Sequence, residues 1–190
     1  MHVPTHILSG WCFANLISKL GARERLFCMI AASAQDLDGI GIVGDFLARH
    51  DEPIWYWNLH HKLGHGALAC LVVTSILTAF SSRPRWLACL AYVAAFHLHL
   101  ILDFFGSGPN WDIYYGWPLS SQGWVSEHAW QLSSWQNIVT ALVLLAWTVG
   151  IVARHKRTPL ELLTPSLDRR WVTTVQLHWH KAAARNDPPC

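Results

Sequence analysis

Charge is scarce in this chain: only 14% of its 190 residues are Asp, Glu, Lys or Arg, against roughly a quarter in soluble domains. With 52% hydrophobic residues and a mean hydropathy of +0.22, the composition leans towards membrane. A net charge of +2, without one long basic stripe, argues against a nucleic-acid partner. The five cysteines are odd in number and form no CxxC pair, and Cys12, Cys28, Cys70 and Cys89 sit in apolar runs. They read as buried thiols, not as a disulfide framework. The start, MHVPTHILSGW, lacks the basic region of a signal peptide, so a mature chain that keeps His6 is expected.

What is present is apolar and helical in pattern. Five segments, at about residues 7 to 18, 26 to 43, 66 to 81, 86 to 105 and 136 to 153, alternate with polar or aromatic connectors. Their length, Ala/Leu richness and lack of strict alternation exclude strands, and Gly21, Pro53, Pro84 and the GSGP stretch at 106–109 punctuate them. The expected fold is all-α: a bundle of about five mostly membrane-embedded helices over residues 1–155, then a basic amphipathic tail over 156–190. Several segments fall short of the ~20 apolar residues that cross a bilayer core, which keeps a soluble bundle in contention.

The charges favour membrane and suggest an orientation. Lys19, Arg23, Arg25, Arg83, Arg85, Arg154, Lys156 and Arg157 occupy alternate connectors, whereas Asp45, Asp51, Glu52, Asp112 and Glu127 dominate the others. If each segment crosses once, the basic side is cytoplasmic. The histidine-rich connectors then face outward, into a periplasm in a bacterial inner membrane. Trp55, Tyr56, Trp57, Trp111, Tyr114, Tyr115, Trp117, Trp124, Trp130 and Trp135 crowd that side, as an aromatic belt or a platform for lipid or substrate. The stretch from about Pro159 to Ala184, with apolar positions from Leu160 to Val175 among Arg169, Arg170, Lys181 and Arg185, reads as a basic amphipathic helix lying on the inner surface.

Ionisable residues within apolar segments are the candidates for chemistry. His99 and Asp103 are four residues apart and share a helical face; such a pair is expensive in a membrane unless it pairs, lines a cavity or holds an ion. Asp36 and Asp38 in SAQDLDGIG lack nearby positive charge, which a metal would supply, although a helix cap explains one of them as well. The block His60-His61-Lys62-Leu63-Gly64-His65 opens the third segment. His61 and His65 share a face if it is helical; His60 and His65 converge if it is not. His6 lies at the mouth of the first segment. All these residues fall at the same ends of their helices, so a bundle can gather them. Mixed His and carboxylate donors without cysteine favour zinc, with manganese or iron as alternatives, and their number suggests more than one ion.

The pattern resembles the YdjM-like family of inner-membrane metal-dependent hydrolases over about residues 4 to 120. The matching residues are Thr5-His6 with Gly10, Asp36-Leu37-Asp38, His60 to His65, His99 to Asp103, and Trp117-Pro118. Gln35, His61 and Gly64 depart from it, standing where the family has proline, arginine and threonine. The family is distantly similar to zinc-dependent phospholipase C and P1-type nucleases. That resemblance implies His60 and His65 as ligands, His99 and Asp103 binding or bridging ions, and Asp36 or Asp38 orienting the attacking water, with His61 behind the ligands.

The expected function is metal-dependent hydrolysis of a phosphoester, either a small molecule or a membrane lipid, by a metal-activated water. The alternative is a non-catalytic metal-binding or transport protein. The almost wholly apolar inner halves of the helices, such as Leu68 to Phe80, favour hydrolysis. His128 and Glu127 offer a further ligand or acid, with a solvated helix cap as the favoured reading.

Overall fold

The computed structural model describes residues 1–49, 51–82 and 84–186, with side chains to 179. Arg83, Cys190 and the side chains of Lys181 and Arg185, all part of the sequence reading, lie outside the described residues. The chain is all-helical: α1 (Val3–Asn15), α2 (Ala22–Ala31), a 3-10 turn (Ala34–Ile40), α3 (Gly41–Ala48), α4 (Ile54–Leu59), α5 (Ala67–Ala79), α6 (Arg85–Gly106), α7 (Trp135–His155) and α8 (Pro165–Asn186).

α6 is the central post, packed on α1, α2 and α5. Its inward stripe Ala88, Ala91, Tyr92, Ala95 and Phe96 is fully or nearly fully buried, and the alanines let Ala14, Ala31 and Ala32 approach closely. α1 lies against α2 through Gly10, where a Cβ would stand 2.6 Å from Cys28 O and 2.8 Å from Ala32 Cβ. That approach carries the start of α1, with His6, over the end of α2. α7 packs on α1 through Cys12, Leu144 and Ile151. Buried Asn137 joins the ends of α6 and α7, donating to Gly106 O and Leu132 O at 2.8 Å and accepting from Trp130 Nε1 at 2.8 Å.

α6 and α7, with 22 and 21 residues, are long and apolar enough to cross a membrane, spanning roughly 33 and 32 Å at 1.5 Å per residue. Outward residues such as Ile138, Leu142, Val143 and Leu145 are more than half exposed, as lipid-facing positions are. The segment expected as one helix over 26–43 is instead broken. α2 ends at Ala31, the backbone turns at Ser33 (φ −135°), and the 3-10 turn with α3 continues at 43° to α2. Two Asp and a Gly are weak formers of an α-helix interior, and Gln35 donates to Phe96 O at 3.0 Å. Counted as one broken span, the pair brings the crossing helices to three. α1 and α5 have 13 residues each, about 20 Å of helix against a ~30 Å core. Among the described residues, two or three helices therefore meet the requirement by length and composition.

At the end opposite the histidines, Arg25 makes a bidentate pair with Glu161 (2.7 and 2.8 Å), and Glu24 accepts from Gly21 N and Ser82 N. At the histidine end, the connector 107–134 folds back over the helices. An isolated bridge pairs Ile113 with Trp124, and backbone bonds run from Tyr114 N to His61 O and from Ala67 N to Tyr115 O. α8 packs on the end of α7, Gln176 Nε2 donating to Ala153 O, while Leu167, Trp171, Leu177 and Trp179 stay exposed.

Candidate metal centre

His99 and Asp103, one turn apart on α6, point into the bundle with His99 Nε2 3.0 Å from Asp103 Oδ2. Each is met from other elements. α1 brings His6, which stacks on His99 at 3.7 Å; its Nε2 lies 3.1 Å from Asp103 Oδ1 without hydrogen-bond geometry. The 3-10 turn brings Asp36, Oδ1 at 3.9 Å from His99 Nε2. The segment before α5 brings His65 and His61, with Nε2 atoms 3.4 and 3.9 Å from Asp103 Oδ2.

The donors form two groups that share Asp103: His6, Asp36 and His99 with Asp103, and His61 and His65 with Asp103. Within each group the ligand atoms lie within 4.8 Å of one another. Donors around a tetrahedral ion with bonds of ~2.0–2.1 Å sit about 3.4 Å apart. The separations from 3.0 to 3.9 Å thus need little adjustment.

Hydrogen bonds decide which ring nitrogens are available. His99 Nδ1 donates to Ala32 O, at the end of α2, at 2.9 Å. His65 Nδ1 donates to Asp38 Oδ2 at 2.9 Å. Both Nε2 atoms therefore present lone pairs, and these face each other at 3.1 Å beside a carboxylate. Such an arrangement is repulsive until a cation or a proton enters it. Burial opposes charging His65, but hydrogen bonds to Asp103 and Asp38 outweigh it and raise its pKa to about 9, so a proton takes that place. His61 moves the other way, pushed down to about 2 by burial and then by the charge on His65, which keeps it neutral as a ligand must be. Both nitrogens of His6, Nδ1 of His61 and Oδ2 of Asp36 are buried without hydrogen-bond partners. These groups fit a divalent ion and can hold one.

Asp38 is committed elsewhere. Its Oδ1 meets His60 Nδ1 at 2.6 Å, and its Oδ2 accepts from His65 Nδ1 and from Gly64 N at 3.0 Å. Residues two apart on a 3-10 turn, with three residues per turn, point to different sides, which sends Asp36 and Asp38 to different partners. His60 stacks on Tyr56 with ring centroids 4.8 Å apart. Of the residues expected as ligands, Asp38 and His60 stand outside both groups, while His61 stands inside one.

The backbone pays a local conformational cost for this. His61 adopts φ 64°, a left-handed conformation that costs a non-glycine residue of order 1–3 kcal/mol and clusters at functional sites. Gly64 lies so close to the Gln35 backbone that any Cβ would collide with it. Glycine there lets the histidine block sit directly on the Asp36–Asp38 turn.

A cavity of about 260 Å³ opens onto the cluster, lined by Asp36, Tyr56, His60, His61, Asp103 and Trp111 among others. His2 and Ser107 also border it, and the amino group of Met1 contacts Asp103 and Ser107 Oγ. Sequence reasoning missed His2 and Ser107 as site residues, and had Tyr56 and Trp111 only among ten aromatics of a belt or substrate platform. Ser107 left a signal, since it extends the 99, 103 stripe by four. No family model matches the chain, and comparisons with curated proteins and with solved structures likewise give no match.

Proposed function

We propose that this chain is a membrane-embedded, metal-dependent hydrolase of phosphoesters. The observation that carries the reading is the pair of donor groups sharing Asp103 at the floor of an open cavity. Zinc is the favoured metal, with manganese or iron as alternatives, and the shared carboxylate suits two ions side by side. Divalent ions bound there supply Lewis acidity to polarise a phosphoryl oxygen and to activate water. Asp36, with one oxygen unpartnered, orients that water. Asp38 holds His65 and His60 in place, and Tyr56 and Trp111 wall the substrate. The reading extends to a bacterial inner membrane with the site facing outward, in keeping with the resemblance to the YdjM-like family.

The alternative is metal binding or transport without catalysis. Transport needs a polar path through the bundle, but the core beneath the cluster is filled by Ala88, Ala91, Ala95, Phe96, Ala31 and Ala32. The test is elemental analysis of detergent-purified protein together with turnover of bis(p-nitrophenyl) phosphate and phospholipid vesicles. Bound metal with chelator-sensitive turnover is expected. Metal without turnover on any phosphoester leaves the non-catalytic reading, and no metal overturns both.

A further inference from the structure

A second recess, of about 100 Å³, shares His60, His61 and Trp111 with the main cavity and is otherwise lined by Trp57, Lys62, Asn110, Asp112 and Tyr114. It is small beside the roughly 300–1,000 Å³ of pockets that take drug-sized ligands, so it suits a short polar arm, not an acyl chain or a nucleoside. Its charge is of both signs. The Lys62 ammonium lies 5.1 Å from the centre of the Tyr114 ring. Among the described residues neither Lys62 nor Asp112 makes an ion pair, with the other or with anything else. The Trp57 and Trp111 rings meet at 4.9 Å and 35°, forming an angled aromatic wall.

Two opposite charges left unpaired in one small recess are complementary to a ligand that carries both. An anion alone would face Asp112, and a cation alone would face Lys62. Indole and phenol faces add attraction for an organic ammonium. We propose that the recess binds the amino-alcohol arm of a zwitterionic phosphoester. The ammonium lies against Asp112 and the Trp57–Trp111 wall, and a phosphate oxygen lies towards Lys62 and the histidine cluster. The inference rests on the phosphoester reading and deepens it, naming phosphoethanolamine-type groups, in a lipid headgroup or a free metabolite, as the substrate class.

The test uses the full chain in nanodiscs, loaded with zinc. Tryptophan fluorescence follows titration with soluble phosphoethanolamine, ethanolamine and inorganic phosphate, and hydrolysis is compared on phosphatidylethanolamine and phosphatidylglycerol. Phosphoethanolamine is expected to bind more tightly than either fragment. Asp112→Asn is expected to weaken it about tenfold while leaving inorganic phosphate unchanged, and Lys62→Gln to weaken both phosphates. A preference for phosphatidylethanolamine that Asp112→Asn abolishes assigns the lipid source; binding of the soluble compound without lipid preference assigns the free one. Equal binding of phosphoethanolamine and inorganic phosphate, or an equal effect of Asp112→Asn on both, overturns the proposal. Selective binding without turnover of any phosphoester would retain the recess and sink the hydrolase; turnover blind to headgroup would do the reverse.

Discussion

His65 and His99 face each other through their Nε2 atoms at 3.1 Å, each ring fixed from behind by a bond at Nδ1. Neither imidazole can turn its lone pair away without losing a buried hydrogen bond. Replacing His99 with alanine is therefore expected to remove at least one equivalent of bound metal, and His99→Ala with Asp103→Ala to remove all of it. Elemental analysis of the purified variants checks this, and retention of full stoichiometry in the double variant would rule out the assigned site.

The two adjacent histidines should behave differently. His61→Ala is expected to lower metal stoichiometry, because His61 belongs to a donor group, whereas His60→Ala should retain the metal while impairing the cavity. Zinc titration of both variants separates them; the opposite pattern would restore the pairing of His60 with His65 implied by the family resemblance.

Asp38 acts through the rings it holds. Asp38→Asn keeps the size but weakens the anchoring of His65 and His60, and loss of such a partner costs about 10–100-fold in metal affinity. Competition with a chromogenic chelator measures it. An unchanged affinity would mean that packing alone orients His65.

The pH dependence follows from His65, which is protonated below about 9 in the metal-free protein. An entering ion must displace that proton, so apparent affinity should rise by up to about tenfold per pH unit and level off near pH 9. Without metal the sign reverses. A pKa raised from 6.5 to about 9 stabilises the fold below 6.5 and loses that contribution as pH climbs through 9. Melting curves with and without zinc, taken between pH 6 and 9, should therefore diverge as pH rises.

Two substitutions test the scaffold. Gly64→Ala drives a Cβ into the Gln35 backbone and is expected to cost about 1–3 kcal/mol and part of the metal. Asn137→Leu removes the bonds joining the ends of α6 and α7 and should cost a similar amount with metal stoichiometry intact. Thermal unfolding in detergent gives the first quantity, and elemental analysis the second.

The helical class, and the gathering of His6, Asp36, His65, His99 and Asp103 at one end of the bundle, were legible because apolar periodicity and ionisable residues in apolar surroundings are both local signals. His99 and Asp103 needed only their spacing. The division of labour between Asp36 and Asp38 was hidden, since it depends on a 3-10 turn where continuous helix was expected. The choice between His60 and His61 turned on a left-handed φ at His61, which no spacing rule anticipates. The shortness of several apolar segments was visible in the sequence, and α1 and α5 at 13 residues each bear it out; where each helix ends was not, because capping and chain breaks are set by tertiary contacts. Trp111 looked like one more belt residue until the connector folded it onto His60 and His61.

The interruption after α2 has a chemical result as well as a geometric one. An unbroken helix would engage Ala32 O in its own ladder; the chain stops there, and that carbonyl takes the His99 Nδ1 proton instead. The tautomer of a buried imidazole is thus written in main-chain connectivity. Were residues 32–34 to straighten, the proton would be free to migrate to Nε2 and turn a metal donor into a hydrogen-bond donor. Loss of ion binding would then report on backbone order at a position with no ligand side chain at all.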